Sequence, residues 1–249
     1  MPNQSDPIYC PENVLLFETL YGKNLISLGG TDAIENLFSD YEIKKLTAMD
    51  LGFGLGGVAY YLSEKYDMKI YGVEVPQWMA EYATQHAPPH LQQQLIFSTY
   101  DEAGLIPFDS NSFDIVYSKG VLNHVKNKLP VFQEVKRLLK PNGLFIIADW
   151  IFPLSEINNS DPLVRETKES YEKVLRESGF NEIIFRDDSV HFIRYAENFI
   201  KNLIANKKLI EENYGEEIFN MILKQHQELL VNMSNKNKFA VRIIAKTKE

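Results

Sequence analysis

The sequence predicts an α/β fold in which a mostly parallel sheet carries helices on both faces. Three observations lead to this prediction. Strand-like and helix-like patterns alternate over residues 46–184, an apolar strand runs into a turn with four glycines at residues 52–57, and 249 residues suffice to bury a full core. We expect a single domain, because no linker or internal repeat divides the chain.

The N-terminal part is expected to form a helical cap over residues 1–40, ahead of a core at residues 41–189. Residues 12–21 form an apolar-rich helical stretch that ends at Gly22, and Thr31 stands where it can cap a second helix.

The glycine turn has the composition of a nucleotide-binding loop. Glycine adopts backbone angles closed to other residues and puts no side chain between the main chain and a ligand. A helix at residues 58–65 would direct its free N–H groups at the turn, which points to an adenosine-containing cofactor. Gly52, Gly54 and Gly57 also fit the spacing of dinucleotide-binding folds. The acid before them, Asp50, suits a cationic ligand better than a pyrophosphate.

A second strand is predicted at residues 69–75, with Glu74 near its end. An acid at this place can accept hydrogen bonds from both ribose hydroxyls, which is expected for either type of cofactor.

Taken in order, these motifs resemble the class I S-adenosylmethionine-dependent methyltransferases. Residues 95–101 resemble the family's third strand and its adenine-binding acid, residues 108–118 resemble its fourth strand with the approach to it, and residues 137–148 resemble its helix-to-strand turn and fifth strand. The resemblance implies a Rossmann-like seven-stranded sheet, S-adenosyl-L-methionine as cofactor and S-adenosyl-L-homocysteine as product. The implied cofactor contacts in the core are Asp50, Gly52, Gly54, Glu74, Val75, Asp101, Glu102 and Ser118.

The tail is expected to depart from simple alternation. Apolar residues at helical spacing predict two helices in an insertion at residues 190–236, before a last strand at residues 237–249. In the methyltransferase family the last strand pairs antiparallel with the one before it, here residues 182–185. An insertion at this point covers the substrate pocket, which makes it a lid; ordinary helical packing is the alternative.

A closer resemblance concerns the methyl acceptor. Residues 21–30, followed by the motif at residues 50–57, resemble the phosphoethanolamine N-methyltransferases. The resemblance implies that Tyr9 and His124 form a catalytic pair that closes over the substrate, and that Ile26 and Ser27 lie near the cofactor. The chemistry agrees, because a histidine can take a proton from an ammonium substrate while a tyrosine hydroxyl orients it.

Departures from that family's pattern bear on the acceptor. Gly120 stands where those enzymes usually carry an acid that can pair with the substrate ammonium, and Trp150 stands where they carry a tyrosine. Trp150, just past the fifth strand, is a candidate for cation–π contact with a methylated ammonium. The phosphate-binding cluster is not matched cleanly; Arg165 is the proposed contact and Lys224 a weaker one.

Composition limits which kinds of partner, cofactor and cellular compartment are expected. The single cysteine, Cys10, excludes an internal disulfide and gives no metal cluster, which makes a reducing cytoplasm the natural compartment. The net charge of −8 disfavours nucleic acid as a partner. With no apolar run of membrane-spanning length and a polar N-terminus, we expect a cytoplasmic monomer or homodimer that acts on a small-molecule acceptor and holds no metal.

Three alternatives stay open. The chain can be a methyltransferase for a different small amine or hydroxyl acceptor, an NAD-dependent oxidoreductase, or a non-catalytic cofactor-binding protein. The number of methyl groups added is not set by the sequence.

Overall fold

The computed structural model describes residues 8–100, 105–154 and 164–246. Its strands form one seven-stranded sheet. They are β1 (Thr47–Leu51), β2 (Lys69–Glu74), β3 (Leu95–Thr99), β4 (Phe113–Lys119), β5 (Leu139–Ile151), β6 (Glu182–Asp187) and β7 (Phe239–Lys246). The order across the sheet is β3-β2-β1-β4-β5-β7-β6, with β7 antiparallel to both neighbours and the other pairs parallel. The predicted seven-stranded fold and its antiparallel last strand are confirmed.

Helices cover both faces of this sheet. They are α1 (Val14–Tyr21), α2 (Gly30–Phe38), α3 (Gly57–Tyr66), α4 (Gln77–His86), α5 (Lys128–Leu138), α6 (Lys168–Glu177), α7 (Ser189–Ala205), α8 (Lys207–Tyr214) and α9 (Glu216–Ser234). Short 3₁₀ turns occur at Pro11–Asn13, Pro89–Leu91 and Leu122–His124.

Two apolar cores lie on opposite faces of the sheet, as alternation along β5 illustrates. Phe145 and Ile147 pack with Phe132 of α5 in one core, whereas Ile146 packs with Ile34 of α2 in the other. Because successive side chains of a strand point to opposite faces, a parallel sheet covered on both sides needs apolar residues at nearly every position. This burial fixes the strand ends that carry the site.

The start of α2 differs from the prediction. Gly29, not Thr31, precedes the helix, and Thr31 lies inside the first turn without a capping hydrogen bond. Gly29 has a φ of +93°, and a Cβ there would lie 2.5 Å from the Cβ of Ala33 and 2.6 Å from the Tyr195 ring. Close packing against Tyr195 therefore places the helix start at the glycine.

Strand β5 is longer than the predicted residues 144–148. Its pairing with β4 skips from Leu139, opposite Phe113, to Leu144, opposite Ile115, so the predicted turn forms a bulge within the strand. At the other end β5 continues because Ile151 pairs with Phe239 of β7. Trp150 consequently lies within β5 and not just past it, which corrects the expected position.

The insertion contains three helices, where two were predicted. Phe199 of α7 and Phe219 of α9 share an apolar core with Leu16 and Leu20 of α1, so the N-terminal cap and the insertion pack against each other. Movement of the insertion as a lid, and the assigned domain boundaries, stay predictions.

Within the described ranges, no helix has both the length and the apolar character needed to cross a bilayer. The same ranges hold no cluster of three or more His, Cys, Asp or Glu side chains able to hold a metal ion.

Candidate active site

A pocket that opens to solvent lies at the carboxyl ends of β1, β2 and β4. Ligands of open α/β sheets bind at this edge, where strand order reverses. The segment of residues 24–27 between α1 and α2 closes one side of it. The polar or aromatic lining comes from Tyr9, Asn24, Ser27, Asp50, Phe53, Glu74, Lys119 and His124.

Side chains around the glycine turn leave no room for larger residues in it. Gly52 has a φ of +86°, and a Cβ on it would lie 2.5 Å from the Val121 side chain. Gly54 has a φ of +58°, and a Cβ there would lie 2.6 Å from Cδ1 of Ile26. Both positions therefore exclude larger residues. The turn and Ile26 form adjoining parts of the pocket wall.

Glu74 is held in the pocket by backbone N–H groups. Its Oε2 accepts a hydrogen bond from Gly54 N at 3.1 Å and its Oε1 accepts one from Val75 N at 3.0 Å. The carboxylate is 1 % exposed. These bonds link the end of β2 to the glycine turn and fix the acid where a ribose would lie.

Asp50, at 2 % exposure, is a buried acid whose Oδ2 has no hydrogen-bond partner among the described residues. Burial raises the pKa of Asp50 to about 8. The Glu74 carboxylate adds to the rise, whereas the nearby Tyr117 hydroxyl and the Lys119 ammonium oppose it. A buried, unpartnered carboxylate oxygen is costly unless a ligand completes its hydrogen bonding. It fits a ligand that carries an ammonium or another cation.

Lys119, the last residue of β4, supplies a positive charge that no motif of the sequence indicated. Its Nζ donates to Ser27 Oγ at 2.6 Å and to the Leu28 carbonyl at 3.1 Å. Desolvation lowers the pKa of Lys119 to about 8, against the opposing effect of Asp50. A charged residue at the carboxyl end of the strand next to β1 is a candidate for ligand binding, and this position could have identified Lys119 from the sequence.

Tyr9 and His124, the predicted catalytic pair, meet at the pocket. Their ring centroids are 6.2 Å apart and the planes are at 88°, an edge-to-face contact. The Tyr9 ring also stacks on Phe17 of α1 at 5.8 Å. His124 closes the 3₁₀ turn that follows β4.

Of the predicted cofactor contacts, six line the pocket, and their role in cofactor binding stays a prediction: Ile26, Ser27, Asp50, Gly52, Gly54 and Glu74. Two other predicted cofactor residues do not. Ser118 is fully buried and donates from Oγ to the Leu51 carbonyl at 2.8 Å, which ties β4 to β1. Val75 contributes its N–H to Glu74. Asp101 and Glu102 lie outside the described residues.

Trp150 and Arg165, the predicted acceptor contacts, lie outside this pocket. The Trp150 ring packs against Phe192 at 5.3 Å, and Lys238 Nζ lies 4.3 Å from its centroid. Lys238 thus occupies the cation position that the prediction reserved for a methylated ammonium. Arg165 lies with its guanidinium carbon 4.9 Å from the Phe152 ring centroid.

Lys224, the other residue considered for the phosphate, is an exposed residue of α9 whose Nζ lies 3.9 Å from Oε1 of Glu228. The structure does not bring it to the pocket.

The pocket therefore combines two buried carboxylates, one ammonium and an aromatic–histidine pair. This charge pattern matches a zwitterionic nucleoside, with a carboxylate partner for its cationic groups and an ammonium for its anionic group. The histidine at the rim is placed to exchange a proton with a second molecule bound beside the nucleoside.

Comparison with known proteins agrees with this pattern. A family model described as a methyltransferase domain matches residues 49–147. Phosphoethanolamine N-methyltransferase of Plasmodium falciparum is 29 % identical over 224 residues, which cover 85 % of this chain and 82 % of that protein. The enzyme of the same name from Triticum aestivum is 24 % identical, over 86 % of this chain and 44 % of its own length. The chain thus spans less than half of that plant relative.

Two solved structures share the fold. Haemonchus contortus phosphoethanolamine N-methyltransferase 2, in complex with phosphomonomethylethanolamine and S-adenosylhomocysteine, has a TM-score of 0.86 at 18 % identity, over 98 % of this chain and 60 % of that one. A Galdieria sulphuraria protein assigned as a sarcosine dimethylglycine methyltransferase has a TM-score of 0.81 at 18 % identity, over 97 % of this chain and 98 % of its own.

Proposed function

This chain is an S-adenosylmethionine-dependent methyltransferase, and we propose that it methylates the nitrogen of phosphoethanolamine or of its partly methylated forms. The single observation that carries the proposal is the edge-to-face contact of Tyr9 with His124 at the rim of the cofactor pocket. Relatives that carry the name of this activity supply the acceptor.

We assign three side chains to the cofactor. Asp50 would accept from the α-ammonium of its methionine part, Lys119 would donate to the α-carboxylate, and Glu74 would accept from the ribose hydroxyls. The unpartnered Oδ2 of Asp50 supports this fit. Gly52 and Gly54 allow the nucleoside to approach the main chain closely. When bound, the cofactor supplies an electrophilic methyl group on a sulfonium.

His124 would act as the general base. An amine attacks only in its neutral form, so a proton must leave the ammonium of the acceptor before transfer. A histidine at neutral pH can take that proton directly or through a water molecule. Tyr9 would hold the acceptor nitrogen in line, because in-line displacement depends strongly on the distance and alignment of the nucleophile.

Two cations near the end of β5 support a phosphorylated acceptor. Arg165 and Lys238 both lie over the Phe152 ring, with the guanidinium carbon at 4.9 Å and Nζ at 5.5 Å from its centroid. β5 neighbours β4, and Gly120 N donates to the Ala148 carbonyl at 2.8 Å. A phosphate needs such donors. Both cations contact the residue that follows β5, and β5 is the strand next to β4, which precedes His124.

Gly120 favours the second candidate, a methyltransferase for another small amine. It lines the pocket with a φ of +72°, and a Cβ there would meet no heavy atom within 4 Å. A chain without an acid at this position has one electrostatic contact fewer for an ammonium.

A methyl-transfer assay with labelled cofactor tests the proposal. We expect transfer to phosphoethanolamine at a kcat/KM at least about 100-fold above that for ethanolamine, glycine and sarcosine, because a bound phosphate adds charge-assisted hydrogen bonds. Equal use of ethanolamine would contradict the phosphobase assignment. Preference for glycine or sarcosine would support the second candidate.

A further inference from the structure

The turn that carries His124 is short and is held by groups from elsewhere in the chain. Within the turn, His124 N donates to the Val121 carbonyl at 2.9 Å and Val125 N donates to the Leu122 carbonyl at 3.0 Å. Such bonds give the turn its shape. Its position relative to the rest of the pocket requires contacts with other elements.

Two carbonyls of this turn, one on each side of His124, accept from outside it. The Asn123 carbonyl accepts a hydrogen bond from Val164 N at 2.8 Å. The Val125 carbonyl accepts one from Lys128 Nζ at 3.0 Å. Because these carbonyls belong to the residues directly before and after His124, movement of either donor moves the histidine.

Lys128 is itself fixed by a buried ion pair. Its side chain is 1 % exposed, and Nζ lies 2.9 Å from Oε1 of Glu166. The same ammonium lies 5.7 Å from the centroid of the Tyr171 ring. A buried ammonium holds its position because the loss of any partner leaves its charge both desolvated and unpaired, which costs free energy.

Glu166 anchors this pair to two other elements. Its Oε2 accepts from Ser170 Oγ at 2.5 Å, at the start of α6. Its backbone carbonyl accepts from Phe152 N at 2.8 Å, just past β5. The Lys128–Glu166 pair therefore connects the His124 turn to α6 and to the chain that leaves β5.

We propose that Lys128 and Glu166 are positioning residues that hold His124 at the distance needed for proton transfer. The inference rests on the proposed role of His124 as base. Neither residue lines the cofactor pocket, so the pair acts through the backbone of the turn and leaves cofactor binding unaffected. Small displacements of a base lower the rate strongly, because proton transfer needs hydrogen-bond contact with the acceptor.

The variants Lys128→Met and Glu166→Gln test the proposal. We expect kcat to fall about 10-fold or more, with the cofactor dissociation constant within about 3-fold of wild type. Arg137→Met is the matched control at the far end of α5. Like Lys128→Met, it removes an ion pair, here with Glu134 at an N–O distance of 2.8 Å, together with donors to backbone carbonyls, here those of Ile106 and Phe108. We expect the control to keep its kcat.

A double variant separates positioning from stability. Lys128→Met combined with Glu166→Gln leaves no unpaired buried charge, so it should unfold at a higher temperature than Lys128→Met alone. It still lacks the donor to the Val125 carbonyl, and kcat should stay low. Recovery of kcat together with the melting temperature would show a merely structural pair and overturn the proposal.

A measurement that needs no methyl acceptor tests the positioning role independently of the proposed function. In ¹³C-histidine-labelled protein with S-adenosylhomocysteine bound, the His124 ring signal is assigned from its loss in His124→Gln. We expect it to shift in Lys128→Met and to stay in place in Arg137→Met. An unmoved signal in Lys128→Met would overturn the positioning role, even if wild-type protein proved inactive toward phosphoethanolamine.

Discussion

Asp50 and Lys119 lie near the carboxyl ends of adjacent parallel strands, and burial moves their pKa values to about 8 from opposite directions. In water the acid would titrate near 3.8 and the ammonium near 10.5. The pocket thus holds two groups in an unfavourable environment that a zwitterionic ligand relieves. Removal of either buried charge should therefore stabilise the cofactor-free protein and weaken cofactor binding.

Asp50→Asn should stabilise the cofactor-free protein and weaken cofactor binding. A folded-state pKa above the ordinary value means that ionised Asp50 destabilises the fold as pH rises above 3.8, with the full effect reached above about 8. At pH 8 we expect a gain of about 1–2 kcal/mol in the free energy of unfolding, or a few degrees in melting temperature, and an affinity about 10- to 100-fold lower.

Thermal unfolding without ligand and isothermal titration with S-adenosylmethionine check this prediction. Asp67→Asn is the control, because Asp67 is an exposed acid at the end of α3. An unchanged dissociation constant in Asp50→Asn would remove Asp50 from the cofactor site.

Cofactor affinity should be highest near pH 8. Below that pH Asp50 takes up a proton and loses its attraction for the ammonium, and above it Lys119 loses its proton and its attraction for the carboxylate. Lys119→Met should lower the affinity for the cofactor about 10-fold or more at pH 8. The variant should also lack the decrease in affinity above pH 8 that comes from deprotonation of Lys119.

Isothermal titration of both proteins from pH 6 to pH 10 measures this effect. The ligand's own ammonium titrates in the same way with either protein, so the difference between the two profiles belongs to Lys119. Parallel profiles would count against the assignment.

His124→Ala should abolish methyl transfer and leave cofactor affinity nearly intact. A general base contributes about 10²- to 10⁴-fold to the rate, and the ring lies at the pocket rim. Tyr9→Phe should lower kcat less, because it keeps the ring contact with His124 and loses the hydroxyl. Single-turnover rates and titration with S-adenosylhomocysteine measure the two quantities. His191→Ala, an exposed histidine of α7, is the control. Joint loss of binding and activity in His124→Ala would mark a structural histidine.

The cofactor half of the site was predictable from the sequence because local rules define it. A strand, a turn that requires positive φ at Gly52 and Gly54, and a second strand that ends at Glu74 occur within 30 residues and need no tertiary information. Tyr9 and His124 came from family resemblance. No periodicity or spacing rule connects them.

Lys119 escaped prediction because a lysine at a strand end is ordinarily solvated. Its contacts to Ser27 and to the Leu28 carbonyl depend on how the segment before α2 folds over the sheet. Trp150 was misplaced for a similar reason. β5 extends to Ile151 through pairing with Phe239, a contact between distant parts of the chain that local propensity does not contain.

Arg165→Met and Lys238→Met should raise the KM for phosphoethanolamine about 10-fold each without changing the KM for ethanolamine. Both cations lie over Phe152, and a charge-assisted bond to phosphate contributes about 1.5–3 kcal/mol. Cofactor affinity should not change, because neither residue lines the cofactor pocket. Lys224→Met removes an exposed lysine that pairs with Glu228, and it should affect neither substrate. Steady-state kinetics with both amines gives the comparison. If Lys224→Met raised the KM for phosphoethanolamine while the other two variants did not, the phosphate site would lie on α9 and not at the end of β5.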